Sequence, residues 1–166
     1  MDAIYRRRSI RRFTNEPVDS EILLSFVKAG MNAPSAGNQR PWRFVIVTDR
    51  KILDEIPSVH PYAAMMREAT AAILVCGDLE LEQRKGYWVQ DCAAATENIL
   101  LEIADSGYGG CWLGVYPREE RVEGLRRLLH IPGHVMPMAL IAVGVPAEQK
   151  PPKNEFDESR ITYDRW

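Results

Sequence analysis

The sequence predicts one domain of mixed α and β structure, with short apolar strands alternating with amphipathic helices. Three observations predict it. The chain has 166 residues, a single-domain length. At that size roughly 70% of the unfolded chain's surface can be buried, so a core forms without a covalent staple. Segments rich in β-branched residues recur between segments whose apolar residues have helical spacing. One long helical pattern is too apolar and too rich in alanine for an ordinary surface helix, which suits close helix–helix contact in a dimer.

Taken in order, Ile22, Leu23, Phe26, Val27 and Met31 define the first long helix, with Asp19 or Ser20 placed to cap it. Pro34 ends that helix, and residues 34–41 (Pro-Ser-Ala-Gly-Asn-Gln-Arg-Pro) read as a loop. Trp42 to Thr48 is apolar and β-branched, hence a strand. Asp49 starts a short helix that Pro57 is expected to stop. Another short helix fits Pro61 to Glu68, and Ala71 to Cys76 is a buried strand. The longest helix runs from Tyr87 to Asp105, with Val89, Cys92, Thr96, Ile99 and Ile103 along one stripe and Gly107 as its stop. Cys111 to Val115 is a strand, Arg118 to Leu129 an amphipathic helix, and Met138 to Val145 a strand closed by Gly144 and Pro146.

Residues 147–166 differ in kind. They are polar, hold Pro151 and Pro152, and cannot build a core. Ile161, Tyr163 and Trp166 are nevertheless spaced to lay apolar groups on a surface. The segment is expected to be an arm crossing the domain or a partner subunit, and residues 1–166 form one domain that includes it.

Composition removes several functions. The net charge of −2 gives no general attraction to nucleic acid or anionic membrane. No apolar stretch approaches the roughly 18–20 residues of a membrane span, and the basic start has no apolar run behind it, so no secretory leader is expected. Cys76, Cys92 and Cys111 are well separated, an odd count without zinc spacing, which fits a reducing cytoplasm. His60, His130 and His134 provide no helical i, i+4 pair, so no metal site is expected.

Four stations could carry chemistry. Arg6-Arg7-Arg8-Ser9-Ile10-Arg11-Arg12-Phe13 offers guanidinium forks and a hydroxyl for a phosphate. Read alone, it is equally a solvated charged face, or a short nucleic-acid patch lacking interleaved aromatics. The loop at 34–41 has Gly37 for close backbone approach, with Ser35 and Asn38 as hydrogen-bonding groups. It could cup a flat heterocycle or simply join a helix to a strand. Gly109-Gly110-Cys111-Trp112-Leu113-Gly114 leaves backbone N–H groups near Gly114 unshielded, or marks two turns bounding a strand. It is no dinucleotide fingerprint, because Gly-x-Gly-x-x-Gly is absent. Lys150-Pro-Pro-Lys153 offers a stiffened lysine for a phosphate, or a solvated one on a linker.

Together these stations resemble the nitroreductase family. Arg7-Arg8-Ser9-Ile10-Arg11-Arg12-Phe13, Pro34-Ser35-Ala36-Gly37-Asn38-Gln39-Arg40-Pro41-Trp42, Gln90 to Asn98, Trp112 to Pro117 and Lys150 to Lys153 occur in the family's order along almost the whole chain. The resemblance implies an α+β fold, with a central mixed or antiparallel sheet flanked by helices, in an intertwined homodimer. It implies FMN at the subunit interface and NADH or NADPH as reductant. Arg7, Arg8, Ser9 and Arg11 would come from one subunit, and Pro34, Ser35, Ala36 and Asn38 from the other. Leu113 and Gly114 would lie beside the flavin N5 edge, and Lys153 would meet the phosphate. Two residues depart from the pattern. Arg40 stands where glutamine is frequent, and Glu155 stands where an arginine is common and would repel phosphate.

The activity implied is hydride transfer from NAD(P)H to a small acceptor, such as a nitroaromatic or quinone, with ping-pong kinetics. The cofactor carries the chemistry, so no catalytic acid or base is named. Arg11 is the candidate for the N1–O2 edge, where a charge pair at about 4 Å with an effective dielectric near 20 is worth about 4 kcal/mol before desolvation. The alternatives on the same fold are reductive dehalogenation, or breakdown of the flavin under a lid that only Ser58 to Arg84 could supply. A non-catalytic flavin-binding module is a further alternative.

Overall fold

A computed structural model describes residues 2–166. Four strands form a single sheet: β1 (Trp42–Val47), β2 (Ala71–Asp78), β3 (Gly109–Gly114) and β4 (Val135–Gly144). The spatial order is β1-β2-β4-β3, and every pairing is antiparallel. Helices α1 (Ala3–Arg6), α2 (Ser20–Met31), α3 (Arg50–Val59), α4 (Trp88–Asp105) and α5 (Glu119–Leu128) surround it. The α+β class with a helix-flanked sheet is therefore as the sequence indicates.

The sheet has a core on each face. Successive side chains of a strand point to opposite faces, so Ala72, Leu74 and Cys76 of β2 join α3 and α5, while Ala71, Ile73 and Val75 join α2 and α4. Covered on both faces, β2 reads as a continuous apolar run rather than an alternating one.

Helix α4 explains much of its own small-residue content within one chain. Cys92, Ala95, Thr96, Ile99, Leu100 and Ile103 are buried, whereas Val89 is half-buried. A Cβ on Gly30 of α2 would stand 2.8 Å from Ile99, so that glycine permits the helices to approach. A Cβ on Gly77 would stand 2.3 Å from Trp88, so the start of α4 docks on bare backbone. Close contact with α2 and the sheet thus accounts for Ala95, which is buried, whereas Ala93 and Ala94 remain half-buried.

Several boundaries move. Helix α3 continues past Pro57 to Val59. Pro57 forfeits the one bond its missing N–H would have made to the Leu53 carbonyl, and buried Leu53 and Ile56 anchor the segment. Helix α2 begins at Ser20 after Asp19 in the N-cap position, but the Asp19 side chain makes no cap hydrogen bond. The helix expected over 61–68 is only a 3₁₀ turn, Ala64–Arg67. Strand β4 starts at Val135, and a bulge opposite Val75 and Cys76 accommodates Pro137.

Glycines stand at both ends of β3, as the sequence indicates, and belong to the strand rather than to flanking turns. A Cβ on Gly109 would meet Ile10 at 2.8 Å, and Ser9 bridges Gly110 in parallel. The basic N-terminal segment is therefore laid directly along β3. Its other neighbour is the tail: Ala147 N–H donates to the Arg12 carbonyl and Lys153 N–H to the Tyr5 carbonyl. Beyond Lys153 the tail turns once at Glu158–Arg160 and leaves Phe156, Ile161, Tyr163 and Trp166 exposed.

Candidate functional site

Two grooves flank the N-terminal segment. The first, about 470 Å³, is lined by Arg7 and Arg8, by Gly110 of β3 and by Lys150 of the tail. The second, about 550 Å³, is lined by Arg11, Leu113 and Gly114, together with His60, Tyr62 and Arg121. An extended backbone sends alternate side chains to opposite sides, which distributes a short arginine run over more than one surface.

In the first groove the cations are partly engaged. Arg7 Nε lies 3.3 Å from Glu97 of α4, and Arg8 donates to the Pro151 carbonyl. Lys150 Nζ donates to the Ser9 carbonyl at 2.6 Å and pairs with Glu148 at 3.2 Å. The Glu148 carboxylate also accepts the Arg11 N–H at 2.6 Å, and these bonds hold its pKa below the usual carboxylate range. Tail and N-terminal segment are thus stitched together by charge. Lys153 lines neither groove; its ammonium pairs with Glu155 at 2.6 Å. Both partners are more than half exposed, so water screens the pair and the lysine exchanges partners readily. Glu155 is thus the partner of the cation that the resemblance gave to the phosphate, in a pair weak enough to yield it to an incoming anion.

In the second groove the walls converge on one carbonyl. A Cβ on Gly114 would meet nothing within 4 Å, so the backbone there faces open space. The Gly114 carbonyl accepts from Arg121 at 2.8 Å and from His60 Nε2 at 2.9 Å. Tyr62 N–H donates to His60 Nδ1 at 3.3 Å, which assigns the proton to Nε2. Burial lowers the His60 pKa, the Gly114 bond opposes that, and Arg121 lowers it further. The imidazole is accordingly neutral near pH 7. The bulge in β4 finishes the geometry: Val115 and Tyr116 N–H both donate to the Met138 carbonyl, ending the strand just after Gly114. Cys111 also lines this groove, with its thiol pKa raised by burial, so it is a poor nucleophile.

The loop at 34–41 is rigid and lines neither groove of its own chain. Gly37, Asn38 and Arg40 have φ of 56°, 57° and 47°. Asparagine tolerates this left-handed region, and glycine is unstrained there. Ser35 Oγ accepts the Arg40 N–H at 3.0 Å, and Asn38 Oδ1 accepts Arg40 Nε at 2.8 Å. Arg40 is therefore spent within the loop. Beneath it, buried Asp91 of α4 accepts the Ala36 N–H at 2.9 Å and Gln39 Nε2 at 2.7 Å. Gln39 Oε1 in turn accepts from Gln83 and Arg84.

The structure thus brings Arg11, Leu113 and Gly114 together, and places Arg7 and Arg8 in a neighbouring groove on the same segment. It keeps Pro34, Ser35, Ala36 and Asn38 apart from both. His60, Tyr62, Asp91 and Arg121 were not among the expected site residues. An acid on the buried side of an apolar helix was a readable signal for Asp91; the other three meet Gly114 only through folding. The 58–84 segment, the one stretch that could have supplied a lid, holds the end of α3, the 3₁₀ turn Ala64–Arg67 and the central strand β2, with short loops between and after them. Asp78, Glu80 and His134 bring three ligand-type atoms within 4.8 Å of one another, but Asp78 is already paired with Arg43 at 2.9 Å. No helix is long and apolar enough to cross a membrane among the described residues.

Comparison with known proteins gives consistent results. The sequence pattern of the nitroreductase family matches residues 4–59 and 54–145. A protein of Methanothermobacter thermautotrophicus, provisionally named NADH dehydrogenase/NAD(P)H nitroreductase, is 47% identical over 166 residues, covering 100% of this chain and 87% of that one. A crystal structure from Parabacteroides distasonis, under the same provisional name, superposes with a TM-score of 0.95 at 40% identity, covering 99% and 97% of the two chains. A provisional nitroreductase from Desulfovibrio desulfuricans, crystallised in complex with FMN, superposes with a TM-score of 0.85 at 30% identity, covering 99% and 96%. With the fold, the order of the sequence stations and these likenesses in agreement, the chain belongs to the nitroreductase family.

Proposed function

We propose that the protein is an FMN-dependent oxidoreductase, active as a homodimer, that reduces small acceptors at the expense of NADH or NADPH. The observation that carries this reading is the meeting of Arg11 with the bare backbone of Gly114 in one open groove. A flat ring system can lie against backbone that no side chain covers, and a guanidinium at its edge answers negative charge on it. The residues present suit a flavin phosphate: cations at Arg7, Arg8 and Lys150 line the adjoining groove, where the anion would be held. They outnumber its one lining carboxylate among the described residues, Glu148, which the Arg11 N–H and Lys150 already answer. The relative from Desulfovibrio desulfuricans binding FMN supports the same reading.

When bound, FMN supplies a site that accepts hydride from a nicotinamide and later yields electrons to an acceptor. The chain's own residues bind and orient. Leu113 and Gly114 leave the ring edge accessible, while Ser9 fixes the N-terminal segment through its bridge to Gly110. Pro34, Ser35, Ala36 and Asn38 are proposed to reach the site of the other subunit, which fits a rigid loop lining no groove of its own chain. One open face serves both reductant and acceptor, so they take turns, and double-reciprocal plots at varied acceptor concentration are expected to be parallel. Nitroaromatics and quinones are the proposed acceptors.

The decisive experiment is an absorbance spectrum of the purified protein, followed by anaerobic addition of each nicotinamide. A yellow protein whose flavin band bleaches supports the reading. A colourless, monomeric protein that takes up no added FMN overturns it.

Replacing Arg11 tests the charge. Its side chain is exposed, so water screens part of the interaction. Arg11→Ala is expected to lower the flavin midpoint potential by about 30–60 mV, equivalent to about 1.4–2.8 kcal/mol for two electrons. Spectroelectrochemical titration measures it, and an unchanged potential removes Arg11 from this role.

A further inference from the structure

The groove over Gly114 carries charge of one sign. Arg11 and Arg121 line it, and no aspartate or glutamate does among its described lining residues. Among the described residues neither guanidinium forms an ion pair, whereas Arg7, Arg12, Arg43 and Arg126 each rest on a carboxylate. Leaving arginines uncompensated beside an open groove keeps them available to an incoming anion.

Arg121 is also held in place. It donates to the Gly114 carbonyl at 2.8 Å, and its guanidinium carbon stands 5.3 Å from the centre of the Tyr62 ring. Tyr62 is tied through its N–H to His60, which bonds the same carbonyl. A guanidinium has five N–H donors. One Arg121 donor is spent on Gly114, and Nε, shielded from solvent, has no partner in the chain. An ordered cation with donors to spare loses little freedom on binding, and this favours recognition. Trp112 and Tyr62 in the same walls offer aromatic surface to a ring.

We propose that the physiological acceptor is an aromatic compound bearing a carboxylate, and that Arg121 grips the carboxylate at the edge of the groove, beside the ring system that lies against Gly114. This rests on the reductase reading above. Arg11 serves the cofactor edge, so Arg121, on α5, is the cation left to choose among acceptors. A negatively charged group on the nicotinamide dinucleotide has the same chemistry, and the experiment separates the two sources.

Two measurements test it. The first uses the flavin-loaded enzyme with 4-nitrobenzoate and its neutral isostere 4-nitrobenzamide. The ratio of their kcat/KM values is expected to favour the carboxylate about tenfold or more in the wild type. It is expected to fall at least tenfold in Arg121→Gln and to be largely retained in Arg121→Lys, through KM rather than kcat. The second is calorimetric titration of the same proteins with benzoate and benzamide, which are not reduced. Benzoate is expected to bind more tightly to the wild type and to lose that advantage in Arg121→Gln. Equal treatment of acid and amide by the wild type, or a preference that survives Arg121→Gln, overturns the proposal. A loss of preference for NADPH over NADH in Arg121→Gln, with acid and amide ratios unmoved, also overturns it and assigns Arg121 to the reductant. Failure to bind flavin defeats the reductase reading, whereas the benzoate titration still reports on Arg121.

Discussion

Asp91→Ala is expected to lower the melting temperature by about 5–15 °C, corresponding to about 2–4 kcal/mol in a chain of this length. The carboxylate is buried and accepts from Ala36 N–H and Gln39 Nε2. Removing it strands two donors, and an unsatisfied buried donor costs about 1–3 kcal/mol. Gln39 is itself buried and holds the backbone of Gln83 and Arg84, so the damage spreads from the 34–41 loop to the chain entering α4. Asp91→Asn keeps one acceptor oxygen and should lie between the two. Thermal denaturation and exchange of the Ala36 amide report the effect. A melting temperature within about 2 °C of the wild type means the loop is fixed by something else.

Gly114→Leu is expected to do the opposite: leave stability nearly intact and reduce turnover about a hundredfold. A new Cβ meets nothing within 4 Å, and the residue sits in an ordinary strand conformation, so the fold has room for it. Surface substitutions of this kind generally change stability by less than about 0.5 kcal/mol. The leucine side chain would instead project over the backbone that Arg121 and His60 converge on, and exclude a flat ring. Circular dichroism with steady-state reduction of a nitroaromatic separates the two effects. Full activity in a folded Gly114→Leu protein would place the site elsewhere. Together the two substitutions separate loss of fold from loss of site, because Asp91 acts beneath the loop and Gly114 acts in the open groove.

The elements with long, regular patterns were legible. Leu23, Phe26 and Val27 announced α2, and Cys92, Thr96, Ile99 and Ile103 announced α4, because burial of one helix face imposes its own period. Elements governed by a neighbour were not. Pro57 reads as a stop, yet the buried face of α3 carries the helix on to Val59. Gly109 and Gly110 stand before the strand expected over Cys111 to Val115, yet they lie within β3 because Ile10 and Ile103 need the space a Cβ would fill.

The candidate site divides along the same line. Arg7, Arg8, Ser9, Arg11, Leu113 and Gly114 stand in short runs whose composition marks them, so the sequence alone supplied them as candidates and supplied the family resemblance. His60 and Arg121 are isolated residues in unremarkable surroundings, and their meeting at one carbonyl depends on how α3 and α5 pack against the sheet. Glu155 looked like a repulsive departure near a phosphate, and the folded tail turns it into the partner of Lys153. Local composition fixes which groups a segment can offer, because that depends only on covalent identity. Which of those groups stay free is decided by tertiary contacts, because a hydrogen bond or ion pair requires two partners that the chain brings together only on folding.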